Sequence, residues 1–181
     1  MSTRYLKKDN VILVGVAKNG SQTMKQIGLN NKGFEIILEG EKDIDFYDSS
    51  LLILFPIRNH TEKALSEMLE VALDGVNLGK QFRPRYDYFN NDVMKHFVEN
   101  ILFNENWKGC KVRFFDLTKL STHIPKYLGW DIEIPHSNAA KDEPKKQILR
   151  KKMKNNVQLI IPEINRTFFN GIKKSKYWIN L

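Results

Sequence analysis

The sequence predicts an α/β fold in which a central, mainly parallel sheet is flanked by helices. Apolar runs of strand length alternate along the chain with longer segments whose apolar residues recur at helical spacing, a pattern typical of strand–helix–strand units with right-handed crossovers. The clearest strand, at residues 51–57, is almost continuously apolar, as expected for a strand that is covered on both faces of a parallel sheet. A length of 181 residues is enough for a sizeable core, so we predict a single domain over residues 1–181.

The individual elements follow from apolar spacing and from turn and capping signals. Short apolar runs rich in β-branched residues predict strands at residues 11–14, 34–38, 51–57 and 111–117. Apolar residues at helical spacing predict helices at residues 21–29, 59–73, 92–104, 118–128, 141–154 and 156–174. Asn59 or Thr61 is expected to cap the second helix, and a turn rich in Asn and Gly at residues 30–33 ends the first. An aromatic and basic loop at residues 75–91 and an extended segment at residues 131–138 complete the prediction.

The positive charge of the chain is concentrated in its C-terminal quarter. The formal net charge is +8, and residues 141–181 contain eleven Lys or Arg against three Asp or Glu, so the first 140 residues are balanced. We predict a basic helical segment at residues 141–181. Such a segment is either a solvated helix face or a binding surface for a nucleic acid, an anionic surface or a polyanionic small ligand.

Composition also excludes several classes of protein. The single cysteine, Cys110, excludes an internal disulfide framework and a cysteine-rich zinc site, and the four histidines are too scattered to suggest a metal site. No apolar run reaches the eighteen or so residues of a membrane span. The polar N-terminus lacks an apolar signal core, so we expect an intracellular, cytoplasmic protein.

The most informative stretch combines a strand, a polar turn and a helix start within residues 11–24. The turn and the helix start contain Lys18, Asn19, Gly20, Ser21, Gln22 and Thr23. The first N–H groups of a helix have no intrahelical partner, and the helix dipole places partial positive charge there. The Lys18 ammonium and the hydroxyls of Ser21 and Thr23 would add donors, so we expect this stretch to bind a phosphate or a similar tetrahedral oxyanion.

This stretch resembles the 5′-phosphosulfate loop of the sulfotransferases, whose pattern is roughly Pro-Lys-x-Gly followed by three Ser or Thr. Lys18, Gly20 and two hydroxyl residues match that pattern, whereas Ala17 replaces the proline and Gln22 replaces a hydroxyl residue. The ATP-binding loop G-x-x-x-x-G-K-[ST] fits less well, because the lysine here precedes the second glycine.

A second segment is similar to the other sulfotransferase signature, roughly Arg-Asp-Pro-x-x-Arg-x-x-Ser. Arg58 and Ser66 stand at its arginine and serine positions, and Lys63 falls where a second arginine often lies. Asn59 and His60 replace the Asp and the Pro. Arg58 follows a predicted strand, where α/β folds bind ligands, and a guanidinium suits a phosphate dianion.

The resemblance implies a P-loop NTPase-like sulfotransferase architecture and a specific donor, 3′-phosphoadenosine 5′-phosphosulfate (PAPS). Lys18 would neutralise the bridging oxygen as adenosine 3′,5′-bisphosphate (PAP) leaves, without need of a metal. The residues of the first loop would hold the 5′-phosphate, and Arg58 and Ser66 would hold the 3′-phosphate. Segments 113–117 and 134–138 are also similar to the family, and the second of them makes Asn138 a further candidate for donor binding. The resemblance also implies that the basic C-terminal segment places a cation on the 3′-phosphate, for which Lys141, Lys145 and Lys146 are the candidates.

The hydroxyl or amine acceptor needs a general base, which in this family is a glutamate or a histidine. The glutamate position points to Glu41 or Glu39, and motif position points to His60 or His136. A sugar, a lipid, a peptide or a small alcohol each fits as the acceptor.

Two alternatives to the enzyme stay open. The first is a non-catalytic nucleotide- or phosphate-binding protein of the same fold, which the departures from both motifs favour. The second is a basic nucleic-acid-binding module that uses the C-terminal lysines and the aromatic and basic loop.

Overall fold

The computed structural model contains a five-stranded sheet flanked by helices, which confirms the predicted α/β class. It describes residues 4–15, 20–38, 44–73, 96–102, 104–132, 134, 144–157 and 163–181. Within these residues the strands are β1 Arg4–Lys8, β2 Val11–Gly15, β3 Glu35–Leu38, β4 Leu52–Ile57 and β5 Lys111–Asp116. Their order across the sheet is β3-β1-β2-β4-β5.

The sheet is mixed, with one strand running against the other four. β1 pairs antiparallel with both β2 and β3, whereas β2, β4 and β5 pair in parallel. β3 therefore runs in the same direction as β2, although β1 lies between them. The prediction of a mainly parallel sheet missed β1, which forms a hairpin with β2 through Asp9 and Asn10. Asp9 has φ +52°, the left-handed conformation that tight hairpin turns require and that Asp tolerates.

The described α-helices are α1 Ser21–Asn30, α2 His60–Leu73, α3 Ile124–Leu128, α4 Pro144–Val157 and α5 Glu163–Lys173. They agree with most of the predicted helices. Asn59 caps α2, because its Oδ1 accepts a hydrogen bond from Thr61 N at 2.9 Å. Two predicted helices differ. The described part of segment 92–104 contains a π-helical turn at Phe97–Ile101, and segment 118–128 begins in a 3₁₀ turn at Leu117–Lys119 before α3.

Apolar side chains alternate between the two faces of the sheet and build a separate core on each. On one face, Met24 and Ile27 of α1 pack with Leu13, Leu54 and neighbouring residues of the sheet. On the opposite face, the core includes Ile12, Val14, Ile53, Phe55, Phe114, Phe97, Ile101, Phe169 and Ile172. Helical segments therefore cover both faces, as in other α/β sheets.

The C-terminal tail returns to the sheet beside β5. Phe114 N donates to Tyr177 O at 2.8 Å, and Ile179 N donates to Phe114 O at 2.7 Å, which forms a parallel bridge between Phe114 and Trp178. The tail thus covers part of the outer edge of β5, which would otherwise present unpaired backbone groups.

In the part of the chain that the structure describes, no helix has both the length and the apolar character that crossing a membrane requires.

Candidate functional site

The two predicted phosphate loops leave the same edge of the sheet from neighbouring parallel strands. Leu13 of β2 pairs with Leu54 of β4, and Ile57 of β4 pairs with Asp116 of β5. The carboxyl ends of these three strands therefore lie side by side at one edge of the sheet. The loop that leads to α1 follows β2, and Arg58 follows β4.

This edge is also a point where the chain changes direction across the sheet. The connection after β2 passes through α1 to β3 on one side, whereas the connection after β4 leads to β5 on the other. α1 packs on one face, and the π-helical turn before β5 packs on the opposite face. In open α/β sheets, ligands bind at such switch points, outside the carboxyl ends of the strands.

After the first loop, the described part of the chain resumes at Gly20, which is the N-cap of α1. Gly20 has φ +96°, a conformation that side-chain-bearing residues rarely adopt. A Cβ at this position would lie 3.1 Å from Leu117 Cδ1, so the start of α1 lies against the segment that follows β5. Met24 N donates to Gly20 O at 2.9 Å and closes the first turn. Gln22 is exposed and Thr23 is half-buried.

The second loop places two cationic residues at the start of α2. Arg58 is half-buried directly after β4. Lys63 lies in the first turn of α2 with 4 % of its side chain exposed, and Lys63 N donates to Asn59 O at 2.9 Å. Ser66 is half-buried one turn further along the helix. The half-buried Arg58 guanidinium gives this loop positive charge near a strand end, which suits a phosphate, whereas the Lys63 side chain is buried.

Asp116 is a residue of this edge to which the sequence analysis gave no role. It ends β5 opposite Ile57, and its Oδ1 accepts hydrogen bonds from Thr118 N at 2.9 Å and Thr118 Oγ1 at 2.8 Å. The available signal was an acidic residue at a strand end, two positions before a threonine, which is typical of a capped turn.

The other predicted residues divide into two groups. Ser21 starts α1 and His60 starts α2, and Lys145 and Lys146 lie in the first turn of α4; only their backbone positions are described. The remaining predicted residues lie outside the described residues: Lys18, Asn19, Glu39, Glu41, His136, Asn138 and Lys141.

The described residues contain no group of three or more His, Cys, Asp or Glu side chains with the arrangement of a metal site. Comparison of the chain with protein-family models, with curated proteins and with solved structures finds no match in any of the three.

Proposed function

We propose that the protein is a sulfotransferase that moves a sulfuryl group from PAPS to a hydroxyl or amine acceptor. The observation that carries the proposal is the position of the two loops at the carboxyl ends of β2 and β4, which are adjacent and parallel. One nucleotide with phosphate groups on both its 3′ and 5′ positions can reach both loops only if they share an edge. The resemblance of both loops to sulfotransferase motifs supplies the identity of that nucleotide.

The 5′ end of the donor is assigned to the first loop. The N-terminus of α1 supplies backbone N–H groups and the positive end of a helix dipole, and its first turn contains no acidic residue. Thr23 is half-buried in that turn, and the motif adds Lys18 and Ser21. These groups suit an oxyanion whose charge increases as the donor's bridging oxygen leaves.

The 3′-phosphate is assigned to the second loop. Arg58 presents a guanidinium, which can donate two parallel hydrogen bonds to one phosphate. Lys63 and Ser66 lie three residues apart on α2, and therefore on the same side of the helix. The bond between the sulfur and the bridging oxygen breaks as the acceptor oxygen or nitrogen attacks the sulfur, and the acceptor's proton passes to a base. Candidates for this base are Glu41, His60 and His136, and Asp116 adds a carboxylate at the same edge.

Calorimetry with PAP, AMP and ATP tests the binding part of the proposal. We expect PAP to bind at least about tenfold more tightly than AMP, because a charged phosphate gains hydrogen bonds to cationic side chains. Arg58→Ala should remove most of that difference. The matched control is Lys7→Ala, because Lys7 is also half-buried but lies in β1 opposite Ile12, away from this edge. Equal losses for both variants, or equal affinity for PAP and AMP in the wild type, would refute the proposal.

Turnover separates the enzyme from a non-catalytic nucleotide-binding protein. Release of PAP from PAPS should be accelerated by hydroxyl or amine acceptors in the wild type. Lys18→Ala should abolish this acceleration, whereas Lys25→Ala, at an exposed position on α1, should preserve it. Tight binding of PAP without transfer to any such acceptor would favour the non-catalytic alternative.

A further inference from the structure

A second cleft lies at the opposite end of β5 from the proposed donor site. It has a volume of about 420 Å³ and includes Lys111, the first residue of β5, together with residues before the strand and residues of the C-terminal tail. Lys111 and Asp116 are separated by about 16 Å along the strand. The volume is within the range of about 300–1,000 Å³ that is typical of small-molecule sites.

The cleft is lined by more cationic than anionic side chains. Lys108, Lys111, Arg113 and Lys176 contribute four positive charges, against one negative charge from Glu105. The three lysines are exposed and Arg113 is half-buried. A concave surface lined by charge of one sign concentrates ligands of the opposite sign.

Backbone geometry adds a donor at the wall of this cleft. Lys111 N donates to Leu51 O on the β4 side, whereas Phe114 N donates to the tail on the outer side. Because successive N–H groups of a strand point in opposite directions, the N–H of Val112 points to the outer edge, where Val112 lines the cleft. Arg113 Nη1 donates to Val112 O at 2.8 Å, which fixes the guanidinium beside this N–H. A guanidinium has five donors in total, so others remain for a ligand.

Aromatic side chains form a fixed wall beside the cations. Trp107 Nε1 donates to Cys110 O at 3.0 Å, which holds the indole over Gly109. A Cβ at Gly109 would lie 2.4 Å from Trp107 Cζ2 and 2.4 Å from Phe46 O, so only glycine allows this arrangement. Tyr177 lines the cleft from the tail, and its ring makes an edge contact with Phe97 at 5.1 Å between centroids. Side chains that are already ordered cost little entropy on binding.

Carboxylates near the base of the cleft are few and partly engaged. Asp45 and Asp48 lie close enough to Cys110 to help raise the pKa of its thiol, although burial is the larger cause. Asp48 Oδ1 accepts hydrogen bonds from Ser50 N at 2.8 Å and Ser50 Oγ at 2.7 Å. These carboxylates repel an anion on the Cys110 side, so the bound anion should lie toward Lys111 and Arg113.

We propose that this cleft binds a small organic phosphate in which the phosphate group is attached to a planar ring. The phosphate contacts Lys111, Arg113 and the N–H of Val112, and the ring packs against Trp107 or Tyr177. Planar rings pack favourably against aromatic side chains, and a dianion suits an excess of cations better than a monoanion does. This site is independent of the proposed donor site, because it uses other residues at the other end of the sheet.

An NMR titration of the full chain with phenyl phosphate tests the proposal. We expect saturable shifts of the Val112 amide and the Trp107 indole N–H that reach half of their maximum at about 1 mM phenyl phosphate or below, that is with a Kd of about 1 mM or lower. Inorganic phosphate and phenol, each lacking one half of the probe, should bind at least about tenfold more weakly. Shifts that do not saturate, or that equal those with inorganic phosphate, would overturn the proposal.

Variants distinguish this site from general attraction to a basic protein. Lys111→Gln and Arg113→Gln should each weaken phenyl phosphate by about fivefold or more, whereas Arg58→Gln and the exposed control Lys25→Gln should change its affinity by less than about twofold. Lys111 is exposed, so its variant should fold normally even if the Arg113 variant does not. Equal weakening by Lys25→Gln would contradict the proposal, and weakening by Arg58→Gln alone would assign the anion to the donor site instead.

Discussion

Gly28 and Gly171, which both lie within described helices, provide a matched test of how α1 packs on the sheet. Gly28 lies in α1, where an added Cβ would meet Ile36 Cγ1 at 2.5 Å, Ile36 Cδ1 at 2.7 Å and Leu6 Cδ1 at 3.0 Å. Gly171 lies in α5, where an added Cβ would meet nothing within 4 Å. The same change to alanine therefore has opposite expected effects at the two positions.

The magnitudes follow from two opposing effects. Alanine is favoured over glycine by about 1 kcal/mol within a helix, so Gly171→Ala should raise the free energy of unfolding by about 0.5–1 kcal/mol. At Gly28 this gain is opposed by overpacking, which costs about 1–3 kcal/mol. Because the nearest atom is Cγ1 of Ile36, which is bonded to the branched Cβ of a β3 residue, and Cδ1 of the same side chain is also within 2.7 Å, we expect a cost near the upper limit. The net loss for Gly28→Ala should be about 1–2 kcal/mol.

Urea unfolding followed by circular dichroism measures both changes. The urea midpoint should fall for Gly28→Ala and rise for Gly171→Ala, with similar m values, so that the free energies of unfolding of the two variants differ by about 1.5–3 kcal/mol. A change in m would indicate altered compactness and invalidate the comparison. Stabilisation by Gly28→Ala equal to that by Gly171→Ala would refute close packing of α1 against β1 and β3.

Three further predictions concern side chains away from these glycines. Burial raises the pKa of the Cys110 thiol from 9.0 to about 11. Iodoacetamide at pH 8 should therefore label the folded protein about a hundredfold more slowly than the unfolded chain. Equal labelling rates would contradict the burial of this thiol. Because this pKa is raised on folding, its contribution to stability should be present below pH 9 and be lost as the pH rises toward 11. Asn59→Ala should lower the free energy of unfolding by about 1 kcal/mol in urea titrations, since the cap on Thr61 N is lost, whereas no change would argue against the cap. Arg150 of α4 pairs with Glu62 of α2, and both side chains are about one third exposed. A double-mutant cycle should therefore give a coupling energy below about 1 kcal/mol. A coupling energy several times larger would be inconsistent with that exposure.

The parallel half of the sheet could be predicted because its sequence signals are local. Residues 52–57 form a continuous apolar run and become β4, which is buried between two parallel neighbours. The start of α1 after Gly20 and its end before Gly33 also follow from short-range preferences, since both glycines adopt positive φ. The strands and helices that can be predicted from such signals are enough to predict that both motif loops lie at the same edge of the sheet.

β1 could not be predicted in this way, because its stability depends on both of its neighbours. Tyr5 and Leu6 are buried in opposite cores. The strand therefore has a single apolar residue on each face, with basic residues before and after this pair, and its sequence does not show the alternation of apolar and polar residues that predicts a strand. Pairing with β2 and β3 supplies the burial that the sequence of β1 alone does not indicate. The signal that was available is the Asp9–Asn10 turn, which favours a hairpin.

The cleft beside β5 also could not be predicted from the sequence. Arg113 and Tyr177 are far apart in the chain and line one cleft only because the tail pairs with Phe114. Pairing over such a distance leaves no periodic pattern in either segment. The role of Gly109 is likewise set by the position of Trp107 and not by a local turn signal.

The central proposal is that the two loops bind the two phosphate-bearing ends of one nucleotide. The affinities of the protein for 3′-AMP and for 5′-AMP test this proposal most directly. Each ligand carries one phosphate, and each should be measured by calorimetry or NMR on the wild type, Lys18→Ala and Arg58→Ala. We predict that Arg58→Ala weakens 3′-AMP by about tenfold or more while 5′-AMP changes by less than about twofold, and that Lys18→Ala does the reverse. Equal effects of each variant on both ligands would contradict the account.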